Sequence, residues 1–449
     1  MSVRAGALLV VALSVSLSTS LSVSLSVQAA RPSVARVEAV DTWGPVHRFE
    51  GAPRGESVAA GPDGSATVAW GSQRGWPEPV KVARRTPTGR WSPPATLGEG
   101  FAPVVAADPL GNLTVAWCRE RNGFTTGVWV ARKPAGRPWT RPVHVSRDRK
   151  APGYPDGWTS YGAAGLDVAV TAAGAAVVTW EWGGPDRGVP SRIQAVRRAP
   201  HGRWGPVETV SSTVGGESTG AQVAVARNGT AWVAYDRSPV TGPTGVVVRS
   251  RSAAGTWSPA ARVDTGELGD LGVSTRGDVT VVLLHRGRVR VAVLPRGRAW
   301  QPPVAVTPRD VRVTDWSVAL SPRGAVLVGY LWRDDRVDVV RRAFGGSWTA
   351  PVTVADPVAP VYEVFTAVDA RGDMFTGWSD HYGIWSRYRP TGKGWRAETT
   401  AQRGGGVEVL EGVRSQVLPG GDVVLLWAQE GKPLRARVLD VQVGDRIER

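Results

Sequence analysis

The sequence predicts an all-β fold: a single β-propeller of eight four-stranded blades. Three observations carry that prediction. A glycine followed six residues later by a large apolar side chain recurs eight times, as Gly64/Trp70, Gly111/Trp117, Gly174/Trp180, Gly229/Tyr235, Gly277/Leu283, Gly324/Tyr330, Gly372/Trp378 and Gly421/Trp427. A second series of eight alternates with it, a Trp near a preceding Gly and a following Pro: Trp43, Trp91, Trp139, Trp204, Trp257, Trp300, Trp348 and Trp395. Both series are spaced mostly 47 to 49 residues apart, and self-similarity at such a period marks a repeat architecture. The third observation is that the two ends are complementary. The order opens on a lone fourth strand at Trp43-Gly44-Pro45-Val46 and closes on a third strand at Leu434–Val441 with nothing after it. The N-terminal strand is expected to complete the eighth blade and leave no open edge. An open solenoid would need capping repeats instead, and seven blades with one aberrant repeat is the alternative count. The propeller is assigned to residues 42–441, with a C-terminal tail over 442–449.

Each unit reads as strands A to D. In the first, A is Ser57–Ala60, B is Ser65–Ser72, C is Val80–Arg85 and D is Trp91–Leu97. The A–B turn opens on Asp in Asp108-Pro109-Leu110-Gly111 and Asp369-Ala370-Arg371-Gly372, and on Ser or Thr at Thr171, Ser274 and Ser321. Such side chains accept nearby backbone N–H groups, and Gly takes the φ > 0 position without a steric penalty. Strand B places large residues at Gly+2, Gly+4 and Gly+6 and a small one at Gly+5, as in Leu113, Val115 and Trp117 against Ala116. A sheet with one wet face would alternate apolar with polar. Two dry faces of unequal size fit blades that stack, bulky face on shallow face. Of 21 tryptophans, 13 hold repeat positions and are assigned to the core.

Composition bounds the class. A hydrophobic content of 42% suits a globular chain and argues against disorder. Residues 1–29 read as a signal peptide: Arg4, an apolar Ser-rich stretch from Ala5 to Val27, and small residues at Val27 and Ala29 set a cleavage point after Ala29. The protein is therefore expected to be secreted, with no transmembrane segment after cleavage and as a monomer. Cys118 is the only cysteine, so no disulfide forms within the chain and no thiolate metal cluster is possible. It reads as a small half-buried side chain. No metal and no cofactor are expected: the five histidines show no ligand spacing and there is no Walker loop.

The net charge is +15, with 49 Arg and 5 Lys. A basic exported protein suits anionic cell-envelope polymers. The arginines follow the repeat, however. Arg85, Arg198, Arg251, Arg342 and Arg389 lie six residues before a D-strand Trp, and Arg132 lies seven before. They are expected to sit over the indoles in a repeated cation–π contact of at most about 1 kcal/mol each. Charge spread evenly around the rim forms no single patch, which argues against nucleic acid.

Function is expected where the period breaks, on the face formed by the B–C and D–A loops, because binding is commonly built on loops over a fixed scaffold. The insertion from Arg147 to Ala163 carries Tyr154, Trp158 and Tyr161; blade 3 adds Glu181 and Trp182; blade 7 adds Asp380, His381 and Tyr382. Aromatics beside charged groups suit carbohydrate, whose C–H faces stack on rings while its hydroxyls bond to the polar groups. Carboxylates recur beyond strand B at Glu120, Glu181, Asp236, Asp334, Asp380 and Glu430. A pair of them at a suitable separation would hydrolyse a glycosidic bond, but no catalytic residue is assigned. Gly216-Glu217-Ser218-Thr219-Gly220 matches GxSxG and is placed in a loop ahead of strand A, without the strand–turn–helix context of a nucleophile elbow.

Gly136-Arg137-Pro138-Trp139 and Gly297-Arg298-Ala299-Trp300 have a Gly-x-x-Trp spacing, and Thr88-Gly89-Arg90-Trp91 is a shorter relative. These C–D turns resemble degenerate Asp-box turns of sialidase-like bacterial secreted propellers, without the Asp. The resemblance implies a propeller and an affinity for glycans, and no active-site residue is carried over. The expected function is a secreted propeller that binds a glycan or cell-envelope polymer on its loop face. A sialidase-like glycoside hydrolase or an extracellular protein-interaction scaffold is the alternative.

Overall fold

The computed structural model describes residues 41–72, 78–121, 124–146, 165–184, 189–200, 202–212, 214–333, 335–357, 359–403, 410–429 and 431–441. The signal segment, the tail and the insertion bearing Tyr154, Trp158 and Tyr161 lie outside them.

The described strands form eight antiparallel sheets. Seven are consecutive four-stranded meanders, the first being Pro53–Ala60, Ala66–Ser72, Pro79–Arg85 and Ala95–Glu99. The eighth takes Leu410–Val417, Val423–Gln429 and Arg435–Asp440 from the C-terminal end and its fourth strand from the N-terminal end, with Thr42 opposite Asp440, Trp43 opposite Leu439 and His47 opposite Ala436. The inner strands are Pro53–Ala60, Phe101–Ala107, Asp167–Val170, Gly216–Val225, Glu267–Val273, Asp315–Leu320, Val361–Val368 and Leu410–Val417. Each touches the next, and the last touches the first. The structure is an eight-bladed β-propeller, and the seven-blade count is set aside.

There is no single core. Eight apolar clusters each fill the space between two consecutive blades. The Gly+6 side chain always faces the preceding blade: Trp117 packs on blade 1, Trp180 on blade 2 and Trp427 on blade 7. The shallow face receives the next blade. A Cβ added to Gly329 would lie 2.8 Å from Thr366 and 3.0 Å from Val364, both on the next blade. The eight D-position tryptophans are half-buried, and each packs at the outer end of the same interface.

The A–B turns behave as their chemistry dictates. All eight glycines have φ between +79° and +98°. Asp369 Oδ1 accepts the backbone N–H groups of Arg371, Gly372 and Asp373 at 2.8 to 2.9 Å, and Ser321 Oγ accepts that of Ala325.

Four expectations are corrected. Trp91, Trp257 and Trp348 make only isolated bridges to Arg85, Arg251 and Arg342, and the fourth strand proper begins later, past prolines that cannot donate to a ladder. Of the six arginines expected over those indoles, Arg342 alone lies on its ring, 5.4 Å above Trp348. The others have stronger partners or different directions. Arg251 forks onto Glu208 of the preceding blade with two bonds of 2.7 Å, and Trp257 donates to the same carboxylate at 2.6 Å. A paired carboxylate outweighs a ring face for a guanidinium. The GxSxG stretch belongs to the inner strand Gly216–Val225, with Ser218 fully buried. Cys118 is fully buried rather than half-buried, and burial pushes its thiol far above the ordinary range.

Candidate functional site on the loop face

Blade 7 builds the most exposed aromatic corner of the described loop face. Its strands Met374–Asp380 and Gly383–Arg389 are joined by a tight turn in which Asp380 opposes Gly383. Asp380 is buried, and its Oδ1 accepts the backbone N–H groups of Tyr382 at 2.7 Å and Gly383 at 2.9 Å. That oxygen is committed to holding the turn. Gly383 is needed there because a Cβ would meet Gln402 O at 2.1 Å. The turn presents His381 and Tyr382 outward. Tyr382 is 61% exposed, with the His381 ring edge-on at 5.4 Å. On the adjacent inner strand the register slips between Val361 opposite Asp380 and Glu363 opposite Ser379. This bulge leaves Tyr362 unpaired and 49% exposed at the same end of the blade. Bulges re-aim side chains in this way. Sequence reasoning missed Tyr362; its signal is a large polar-tipped ring just ahead of an apolar strand.

Blade 3 behaves differently. Trp182 packs on the cluster between blades 2 and 3, and Arg192, opposite it in the ladder, lies 4.1 Å over its ring. Other indoles on this face are covered likewise: Trp332 by Arg333 and Arg336 at 4.6 and 5.0 Å, and Trp129 by Arg119 at 5.2 Å with His144 stacked on it. Glu181, beside Trp182, is half-buried; burial raises its carboxyl above the ordinary range, and the Glu217 charge adds to the effect. The structure therefore brings Asp380, His381 and Tyr382 together, and Glu181 and Trp182 together, on separate blades.

Of the carboxylates expected at the channel mouth, Asp236 acts as a staple between blades. It accepts the N–H of Leu268 on blade 5 at 2.8 Å. The inner strands repeat the device: Asp167 binds Val223 N at 2.8 Å, Asp315 binds Val364 N at 2.7 Å and Glu363 binds Val413 N at 3.2 Å. Each satisfies an N–H of the next inner strand. Packed deep in the ring, these acids resist ionisation. Burial raises Asp167 and Asp236 to about 6, and raises Asp270, also near Asp167, to about 7. Asp334, Glu430 and the Glu120 side chain lie outside the described residues. Among the described residues no group of His, Cys, Asp and Glu is arranged to hold a metal, and no helix is long and apolar enough to cross a membrane.

No protein-family profile matches the chain, and no curated protein does. Solved structures share its architecture. A Burkholderia pseudomallei lectin superposes with a TM-score of 0.53 at 15% identity, covering 79% of this chain and 100% of the lectin. The Aleuria aurantia lectin in complex with α-methyl-L-fucoside gives 0.40 at 12% identity, covering 80% and 98%. A Hadza microbial sialidase gives 0.39 at 15% identity, covering 74% of each chain. At 15% identity the likeness to the Burkholderia pseudomallei lectin speaks to fold alone.

Proposed function

We propose that this protein is an exported glycan-binding propeller whose ligand seats on the loop face at the blade 7 corner. Tyr362 and Tyr382 provide stacking surfaces, and His381 provides a polar edge. The observation that carries this reading is the pair of solvent-exposed tyrosines on one blade end. A phenol exposed to this degree gains most by meeting the C–H face of a sugar while its hydroxyl stays wet. The covered indoles of blades 2, 3 and 6 lack such an open ring face, so the corner stands out from the rest of the described loop face. The apolar N-terminal segment supports export, and a lectin of the same architecture makes carbohydrate the first ligand class to test. Envelope polymers are the expected natural source of the sugar.

A glycan array on the mature chain tests the proposal. Hits that vanish with Tyr382→Ala and weaken with Tyr362→Ala support it. An array without hits, alongside co-purification of a protein partner, would replace it with an interaction scaffold. A second reading, glycoside hydrolysis, is favoured by the raised Glu181 carboxyl with Glu217 close by, since a general acid needs such a shift. Turnover of a glycan hit, abolished by Glu181→Gln, would establish it; intact glycan after prolonged incubation would remove it.

A further inference from the structure

The opposite face, made of the A–B and C–D turns, is the more regular one, and several of its arginines are matched by acids. Arg84 of blade 1 contacts Asp63 at 2.7 Å. Arg371 of blade 7 contacts Asp369 at 2.9 Å and Asp373 at 2.8 Å. Between blades 4 and 5 this pattern fails. The first position of the A–B turn, Asp, Ser or Thr at residues 108, 171, 274, 321 and 369, is Ala226 in blade 4, as it is Gly61 in blade 1 and Leu418 in blade 8. The third residue after the turn glycine is Trp232 in blade 4, where the other blades carry Thr67, Thr114, Val177, Thr280, Leu327, Phe375 and Val424.

Ala226 and Trp232 both border an open cavity of about 460 Å³. Trp232 and Asn228 line it from blade 4 together with Arg227, and Arg276, Arg296 and Arg298 line it from blade 5. No acidic residue is among those lining it, and all four arginines are exposed. Arg276 is anchored, 4.3 Å over the Phe344 ring of blade 6. The backbone frame is fixed by turn hydrogen bonds: Thr230 N to Asn228 Oδ1 at 3.1 Å, Arg296 N to Asp278 Oδ1 at 2.9 Å and Arg298 N to Pro295 O at 3.0 Å. The half-buried indole packs on the apolar cluster between the two blades.

We propose that this cavity is a second binding site, distinct from the blade 7 corner, for a saccharide bearing carboxylate or sulfate groups. Its volume falls within the range of small-ligand pockets, roughly 300–1,000 Å³. The indole gives a sugar ring an apolar surface, and guanidinium forks match planar oxyanions two bonds at a time. A neutral sugar would leave the cations without partners. A nucleic acid would call for a stripe of cations along a groove, whereas these four rim one bounded cavity between two blades.

Calorimetric titration of the mature chain with an oligogalacturonide, a sulfated oligosaccharide and maltotetraose tests the assignment. The expected result is binding of one or both anionic ligands, weakened by salt, with maltotetraose far weaker. Arg296→Gln with Arg298→Gln should weaken the anionic ligand at least about tenfold, equivalent to losing one charge-assisted hydrogen bond. Trp232→Thr, which installs the residue of blades 1, 2 and 5, should weaken it as well. Tyr382→Ala should leave it unchanged, which separates failure here from failure of the blade 7 reading. Both arginines are exposed, so the double variant remains decisive even if the Trp232 variant loses its circular dichroism spectrum. Equal affinity for neutral and anionic ligands, no binding of either, full affinity in the arginine variant, or equal competition by single-stranded DNA would overturn the proposal.

Discussion

Replacing Gly329 by Ala tests the stacking rule that builds the ring. Gly329 lies in Val326–Trp332, opposite Ser317 and Val339, on the shallow face that receives blade 7. Its φ is not in the left-handed region, so the backbone accepts a Cβ. Considered alone, Gly→Ala would stabilise by about 0.4–1 kcal/mol, through a less disordered unfolded chain. The added Cβ, however, would lie 2.8 Å from Thr366 Cγ2 and 3.0 Å from Val364 Cγ1. Thr366 has little room to retreat: it is 8% exposed, and its N–H and hydroxyl are held by Ser317 Oγ at 3.1 and 3.0 Å. Overpacking of this kind costs about 1–3 kcal/mol. The clash wins, and the net loss is about 1–2 kcal/mol. Thr366→Ser removes the clashing methyl and keeps the hydroxyl. In that background Gly329→Ala should cost about 1 kcal/mol less, a coupling readable in a double-mutant cycle of guanidinium unfolding. A stabilised Gly329→Ala protein, or strict additivity of the two changes, would refute the reasoning.

Two further outcomes follow from closure and from the buried acids. Trp43 packs between blades 7 and 8 and donates to Thr399 Oγ1 at 3.2 Å, so Trp43→Ala should loosen the seam first. Amide exchange should rise in Arg435–Asp440 before it rises in blades 2 to 5, and uniform protection would contradict closure by this strand. Asp270 titrates at about 7 in the fold against about 3.9 in an unfolded chain, so the native state binds more protons between those values. Its contribution is therefore present at pH 4, is lost as pH rises to 7, and is level above. Asp270→Asn should become progressively more stable relative to wild type across that window by calorimetry, and a pH-independent difference would contradict the assignment.

The blades were legible because each repeat spells out its own turn and its own packing. Gly111 sets a left-handed turn, Trp117 six residues on fills the gap to the blade before, and Ala116 leaves room for the blade after. None of this depends on distant residues. The arginines were not legible for the opposite reason. Arg251 turns from Trp257 to Glu208, and that choice is made by a carboxylate on another blade. The candidate site shows both cases. The exposed Tyr382 turn follows from local chemistry, since Asp380 and Gly383 specify it. Trp182 reads as an open platform until the ladder places Arg192 over it, and Tyr362 turns outward only because of a bulge between two strands. Trp232 was not singled out in the sequence, because the cavity beside it depends on turns of two blades.

The central claim is that an exposed tyrosine corner on blade 7 makes this propeller a glycan receptor. Titration of the strongest array ligand into wild type and into the Tyr362→Ala, Tyr382→Ala double variant tests it most directly. The account predicts saturable binding by wild type and loss of at least about tenfold in affinity in the double variant, the scale of one stacked ring, with unfolding midpoints alike for both. Undiminished affinity in the double variant would contradict it.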